Sequence, residues 1–157
     1  MTFPTNMNAK TVTLQEGAKL NVMGDVVRVI LGSEDTGGSL TLVQQRSLPG
    51  AGIPLHINTR EDEIFQVLEG QVEFQVGAGT ITAEPGTVVY VTRHLPHSFR
   101  VVGSAPALIQ IMMMPGGLEK MIEEIIGLPK PPDGQKIEAI CERYGVKFLH
   151  LPPAHAT

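Results

Sequence analysis

Residues 50–70 read GAGIPLHINTREDEIFQVLEG, with Gly50, His56, Asn58, Glu63 and Gly70 spaced along them. His56 and Asn58 are two residues apart, and on a strand that spacing puts both side chains on one face. Glu63 opens the next β-rich run after the polar turn Thr59–Asp62, and His97 opens a later run. If the sheet closes on itself, residues from separate strands can converge in an interior that excludes bulk water and holds ligands rigidly. Two imidazoles and one carboxylate suit a divalent first-row transition metal, and the flanking glycines mark tight turns between strands.

Outward from this stretch, short β-rich runs are cut by turn signals from about residue 11 to 114. Ala18–Met23, Asp25–Gly32, Leu40–Ser47, Glu63–Leu68, Gln71–Val76, Thr80–Ala83, Thr87–Thr92, His97–Val102 and Ala107–Met114 all read as strands. Period-two alternation groups Val72 with Phe74 and Val76, and His97 with Phe99 and Val101. Cuts fall at Gly37-Gly38, Pro49-Gly50, Glu69-Gly70, Gly77–Gly79, Pro85-Gly86 and Gly103. Short strands at such intervals predict an antiparallel all-β sandwich or barrel.

The period changes after Pro115-Gly116-Gly117. Leu118, Met121, Ile122, Ile125 and Ile126 form the apolar stripe of a helix over about 117–127. A stiff Pro129–Pro132 connector leads to a second helix over about 133–145, striped by Ile137, Ile140, Cys141 and Tyr144. Val146–Leu149 reads either as an edge strand or as a segment that packs down, and 150–157 reads as a disordered tail. Neither helix could bury its stripe alone, so the expectation is one domain over 1–157 with the helices packed on the barrel.

Composition narrows the function classes. Of the 157 residues, 42% are hydrophobic and 18% charged, and the net charge is -4. With no basic run, nucleic acid and anionic membrane are poor partners. No segment approaches the roughly 18 apolar residues of a membrane span. The lone Cys141 cannot form an intramolecular disulfide, and the start lacks a secretory pattern, so the expected location is cytoplasmic.

The residues from Gly50 to Gly70 resemble the first signature motif of the cupin superfamily, in which a glycine, two histidines, a glutamate and a closing glycine keep this spacing. Gly86 and His97 match the glycine and histidine of the second motif. Thr92, His94 and Val101 stand where that motif has proline, glycine and asparagine. Pro54–Gly70 and the C-terminal helix pair resemble the small single-domain cupins of the quercetinase-like group. The likeness spans roughly residues 20 to 149. It implies a double-stranded β-helix, a jelly-roll barrel, and a homodimer. It also implies a divalent metal (iron, nickel, manganese, zinc or copper) held by His56, Asn58, Glu63 and His97.

Asn58 replaces the usual second histidine. It is either a direct, weaker, oxygen-donating ligand or a hydrogen-bonding neighbour of the ligands. Two histidines and one carboxylate form the facial set of non-haem iron oxygenases. One carboxylate against a divalent ion leaves about one positive charge, which would suit an enolate or carboxylate oxygen of a small apolar or aromatic substrate. Glu63 is the candidate base. Phe65, Val67, Phe74, Phe99, Gln110 and Met112 are candidates to line the lumen, or are core residues. The alternatives are a cupin that binds or senses a small molecule without turnover, or a metal-assisted isomerase or lyase. Glu61 and Asp62 read as solvated turn charges beside Arg60, His94 as an exposed turn residue, and Cys141 as a packed, inert thiol.

Overall fold

The computed structural model describes residues 9–149, and the expected tail over 150–157 lies outside them. The strands in chain order are β1 (Ala18–Val22), β2 (Asp25–Leu31), β3 (Thr41–Ser47), β4 (Gly52–Asn58), β5 (Asp62–Glu69), β6 (Gln71–Val76), β7 (Gly79–Ala83), β8 (Val88–Val91), β9 (His97–Val102) and β10 (Ala107–Met114). Helices α1 (Leu118–Ile126) and α2 (Gly134–Arg143) follow, and then a short strand, β11 (Val146–Phe148).

The strands form two antiparallel sheets. One runs β1-β2-β3-β10-β5-β8 and the other β11-β4-β9-β6-β7. Most neighbours are not consecutive in the chain, which is how segments far apart in sequence come to face one another. The inner rows are those that alternation predicts: Phe65 and Val67 on β5, Val72 and Phe74 on β6, Phe99 and Val101 on β9, all buried. Phe65, Phe74 and Phe99 meet with ring centroids 5.4 to 6.1 Å apart. Removing each ring from water stabilises the fold by roughly 2–3 kcal/mol.

β4 is missing from the strands read by periodicity, although it carries His56 and Asn58. Its pattern is inverted: the polar His56 and Asn58 are buried, while Ile53, Leu55 and Ile57 are only half-buried. Gly52 lets this strand approach β9, since a Cβ there would lie 1.9 Å from the Phe99 carbonyl oxygen. The β4–β9 register shifts between Ile53 and His56, after which His56 stands opposite His97.

The C-terminal elements pack onto the strands. α1 buries Leu118 and Ile125, and α2 buries Ile140 and Cys141. Asp133 caps α2 by accepting from the Gln135 amide, satisfying one of the donors a helix start leaves free. Glu119 ties α1 down: its carboxylate accepts from the Ser33 amide at 2.6 Å and the Thr41 hydroxyl at 2.6 Å. β11 settles the open reading of Val146–Leu149: it is an edge strand, paired antiparallel with β4. No described helix is long and apolar enough to cross a membrane.

Candidate metal centre

Three of the four expected ligands converge. One donor atom each from His56, Glu63 and His97 lies within 4.8 Å of the other two, and all three residues are buried. The cluster bridges the two sheets. His56 and His97 are cross-strand neighbours in one sheet, with ring centroids 4.2 Å apart. Glu63 reaches across from the other sheet, placing Oε2 2.8 Å from His97 Nε2.

Both rings are oriented in the same way. His56 Nδ1 lies 2.8 Å from the Pro54 carbonyl oxygen, and His97 Nδ1 lies 2.9 Å from the Leu95 carbonyl oxygen. Each Nδ1 therefore donates to a backbone oxygen two residues earlier, which leaves Nε2 for the centre. At His97 this has a consequence. With Nδ1–H given to Leu95, the short Nε2–Oε2 contact needs one more proton, which the imidazole and the carboxyl share. Burial pushes the His97 imidazolium down, but the hydrogen bond to Glu63, the Leu95 carbonyl and the Glu63 charge outweigh it, and its pKa ends above the ordinary value. His56 goes the other way: burial, and then the charge of His97, hold its pKa below the usual imidazole range. It is a neutral ring ready to donate a lone pair.

The other expected ligand, Asn58, is buried on the same face of β4 as His56, and its Oδ1 has no hydrogen-bond partner. A buried amide oxygen without a donor is costly unless something else takes its lone pair. A cation beside His56 would do so. Two imidazoles, one carboxylate and this free amide oxygen therefore fit a divalent transition ion.

Among the candidates for the lumen, Phe65, Val67, Phe74 and Phe99 point inward and are buried. Phe65 meets His97 edge-on at 5.9 Å, so it forms the floor of the centre. Gln110 and Met112 do not line the interior. The inward row of β10 is Ala107, Ile109, Ile111 and Met113, and alternation sends Gln110 and Met112 to the outer face. There Gln110 accepts from Gln44 at 3.0 Å, within a polar rung that Arg28 extends by donating to Gln44.

Two residues near the centre escape the sequence reading. Phe148 stands opposite His56 in the β11–β4 register, with ring centroids 5.8 Å apart. Glu61 is no solvated turn charge but is buried, with an Oε2 that has no partner. Burial, and then the charge of Glu63, push its carboxyl up to about 7, against a weaker pull from Arg60 and Arg93. The signal was present: continued one step back, the alternation of Phe65 and Glu63 reaches Glu61. Asp62 has the outward phase and takes the Arg93 amide and guanidinium. His94 is exposed, as expected, in a left-handed turn whose amide donates to the Asn58 carbonyl.

The geometry agrees with the comparisons. Residues 44–114 match the family model described as a cupin domain. The barrel has the cupin fold. Its fold is shared with KdgF from Halomonas sp., at 18% identity and TM-score 0.63, over 71% of this chain and 99% of that one. An RmlC-like cupin from Shewanella frigidimarina aligns at 14% identity and TM-score 0.61, over 71% and 96%. A predicted oxalate decarboxylase from Thermotoga maritima aligns at 18% identity and TM-score 0.60, over 67% and 98%. No curated protein matches the chain in sequence. At such identities the likeness concerns the cupin fold alone.

An open groove of about 650 Å³ lies elsewhere, between the N-terminal segment and α1, and the cupin triad contributes nothing to its lining. Two of its acids are already bonded, Asp35 to Lys10 and Glu119 to Ser33 and Thr41.

Proposed function

We propose that the protein is a metal-dependent oxygenase of the quercetinase-like cupin type. It would act on a small apolar or aromatic molecule through an enol or carboxylate oxygen. His56, Glu63 and His97 would hold a divalent ion, iron, nickel, manganese, zinc or copper, and Asn58 would add a neutral oxygen donor. The ion, when bound, supplies Lewis acidity toward a ligand oxygen and, for iron, redox chemistry with dioxygen. The observation that carries this reading is the buried two-histidine, one-carboxylate set, with each Nδ1 bonded to a backbone carbonyl oxygen.

The residues have separate tasks. Phe65 and Phe148 pack beside the imidazoles and keep water from them. Glu63 fixes His97 through Oε2, and an incoming cation must displace the proton between them. That commitment to His97 leaves its expected service as a base secondary to its service as a ligand.

Asn58 supports a second reading, a cupin that binds or senses a small molecule without turnover, because an amide oxygen holds a transition metal less firmly than imidazole. Asn58→His separates the two accounts. Metal content after loading is expected to rise in this variant, and oxygen uptake with a flavonol and catechol panel to persist or increase and to vanish in His56→Ala. Tight metal binding without oxygen uptake would leave the binding module. Absence of metal from both wild type and Asn58→His would remove both readings.

A homodimer in the cytoplasm completes the proposal. On the outer face of the six-stranded sheet, Leu42, Met112, Ile64 and Tyr90 stand in one register rung across β3, β10, β5 and β8. Tyr90 is 57% exposed and Val88 beside it 56%, an apolar strip that a second copy would cover. Tyr90→Glu should yield monomers in sedimentation experiments.

A further inference from the structure

Among the described residues, two buried side-chain acceptors lack any hydrogen bond: Asn58 Oδ1 and Glu61 Oε2. Asn58 belongs to the ligand set. Glu61 needs its own explanation. It extends the inward row of β5, where Glu63, Phe65 and Val67 are buried, and is itself only 5% exposed. It stands two residues before Glu63 in the same buried phase and outside the set of donor atoms mutually within 4.8 Å. Glu61 is therefore beside the metal cluster and not one of its ligands. Arg60 and Arg93 act on it through charge, but neither bonds Oε2.

A buried carboxylate oxygen with no donor is an unfavourable thing to keep in a fold. Its cost is recovered when a bound molecule brings the donor. Such a site discriminates strongly, because an analogue without the hydroxyl leaves the acceptor unpaired.

We propose that Glu61 is the ligand-recognising acceptor of this centre, and that it selects small oxygen ligands carrying an O–H next to the metal-binding oxygen, the α-hydroxy acids and vicinal enols or diols. The inference rests on the metal-dependent reading above and narrows its substrate class. In the complex, the ion takes one oxygen while the adjacent hydroxyl donates to Glu61. A hydrogen bond to a charged acceptor is short and strong, so one contact is enough to separate the two classes.

The test uses cobalt(II)-loaded full-length protein at pH 8, read by its visible absorption, with glycolate titrated against methoxyacetate. Both probes have the same charge and the same oxygens for the ion, and only glycolate carries the hydroxyl proton. Wild type should prefer glycolate by about tenfold. Glu61→Leu, loaded with cobalt to the same occupancy, should lose the preference. Glu61→Gln, which keeps a carbonyl acceptor, should retain part of it. Equal affinities in wild type, or a preference that survives in Glu61→Leu, would overturn the assignment. Failure of wild type to take up cobalt shows before any probe is added; it would defeat the metal reading, and this inference with it.

Discussion

Glu61 and Glu119 are both 5% exposed, yet they are opposite cases. Glu119, at the start of α1, receives the Ser33 amide and the Thr41 hydroxyl, and these bonds outweigh burial and hold its pKa below the ordinary carboxylate value. Glu61, beside the His56, Glu63 and His97 cluster, has an Oε2 with no donor and a carboxyl pushed up to about 7. The first acid joins pieces of the fold. The second is tolerated by it. A buried polar group that the protein does not satisfy points to something that arrives from outside, and this contrast separates a structural region from a functional one more cleanly than burial does.

The contrast can be broken first on metal affinity, where the largest effect is expected. His97→Ala should weaken divalent-ion binding at least about 100-fold, read by competition with a coloured chelator, because a ligand and its orienting bond are both lost. Glu119→Ala should leave that affinity unchanged. A shared loss would mean that the two regions are coupled.

Stability gives the next test. Glu119→Ala strands the Ser33 amide and the Thr41 hydroxyl and should cost about 4 kcal/mol in urea unfolding. The folded pKa of Glu119 is depressed, so its contribution is present above the unfolded carboxyl's 4.5 and is lost as pH falls through the lower folded value.

Glu61→Gln should do the reverse and stabilise the metal-free protein by about 2 kcal/mol at pH 8. In wild type the folded carboxyl keeps its proton up to about 7, whereas the unfolded one loses it near 4.5. The folded state therefore binds more protons between those values, and wild-type stability falls as pH rises through them. The gain in the variant should accordingly fade toward pH 4.5, and a gain constant with pH would contradict the assignment. Asp62→Asn marks the small end of the scale. Its exposed pair with Arg93 should leave the melting temperature unchanged within error.

Legibility differed from element to element. β6, β9 and the two helices showed in their periods, because one face of each is wet and the other dry. β4 was concealed by Pro54, Gly52 and a pattern turned inside out, with polar side chains inward. Gln110 and Met112 were misplaced for a related reason. β10 is apolar on both faces, so composition cannot tell Ile111 from Met112, and only the pairing of Ile111 with Phe65 and Val43 shows which row is inside. Glu61 was hidden among Arg60, Asp62 and Glu63, a run of charges that looks solvated until the strand phase is known.

Alternation, turn residues and the Gly50–Gly70 spacing thus determined the β architecture, the helical cap and the identity of the triad, since these depend on local geometry and on which side chains can ligate a metal. Tertiary structure alone decided that Glu63 crosses from one sheet to meet His97 in the other, that β11 brings Phe148 to His56, and that Glu61 ends buried without a donor. The physical reason is the same each time. These outcomes depend on inter-sheet pairing and on the balance of desolvation against hydrogen bonding, and both are set by residues distant in the chain.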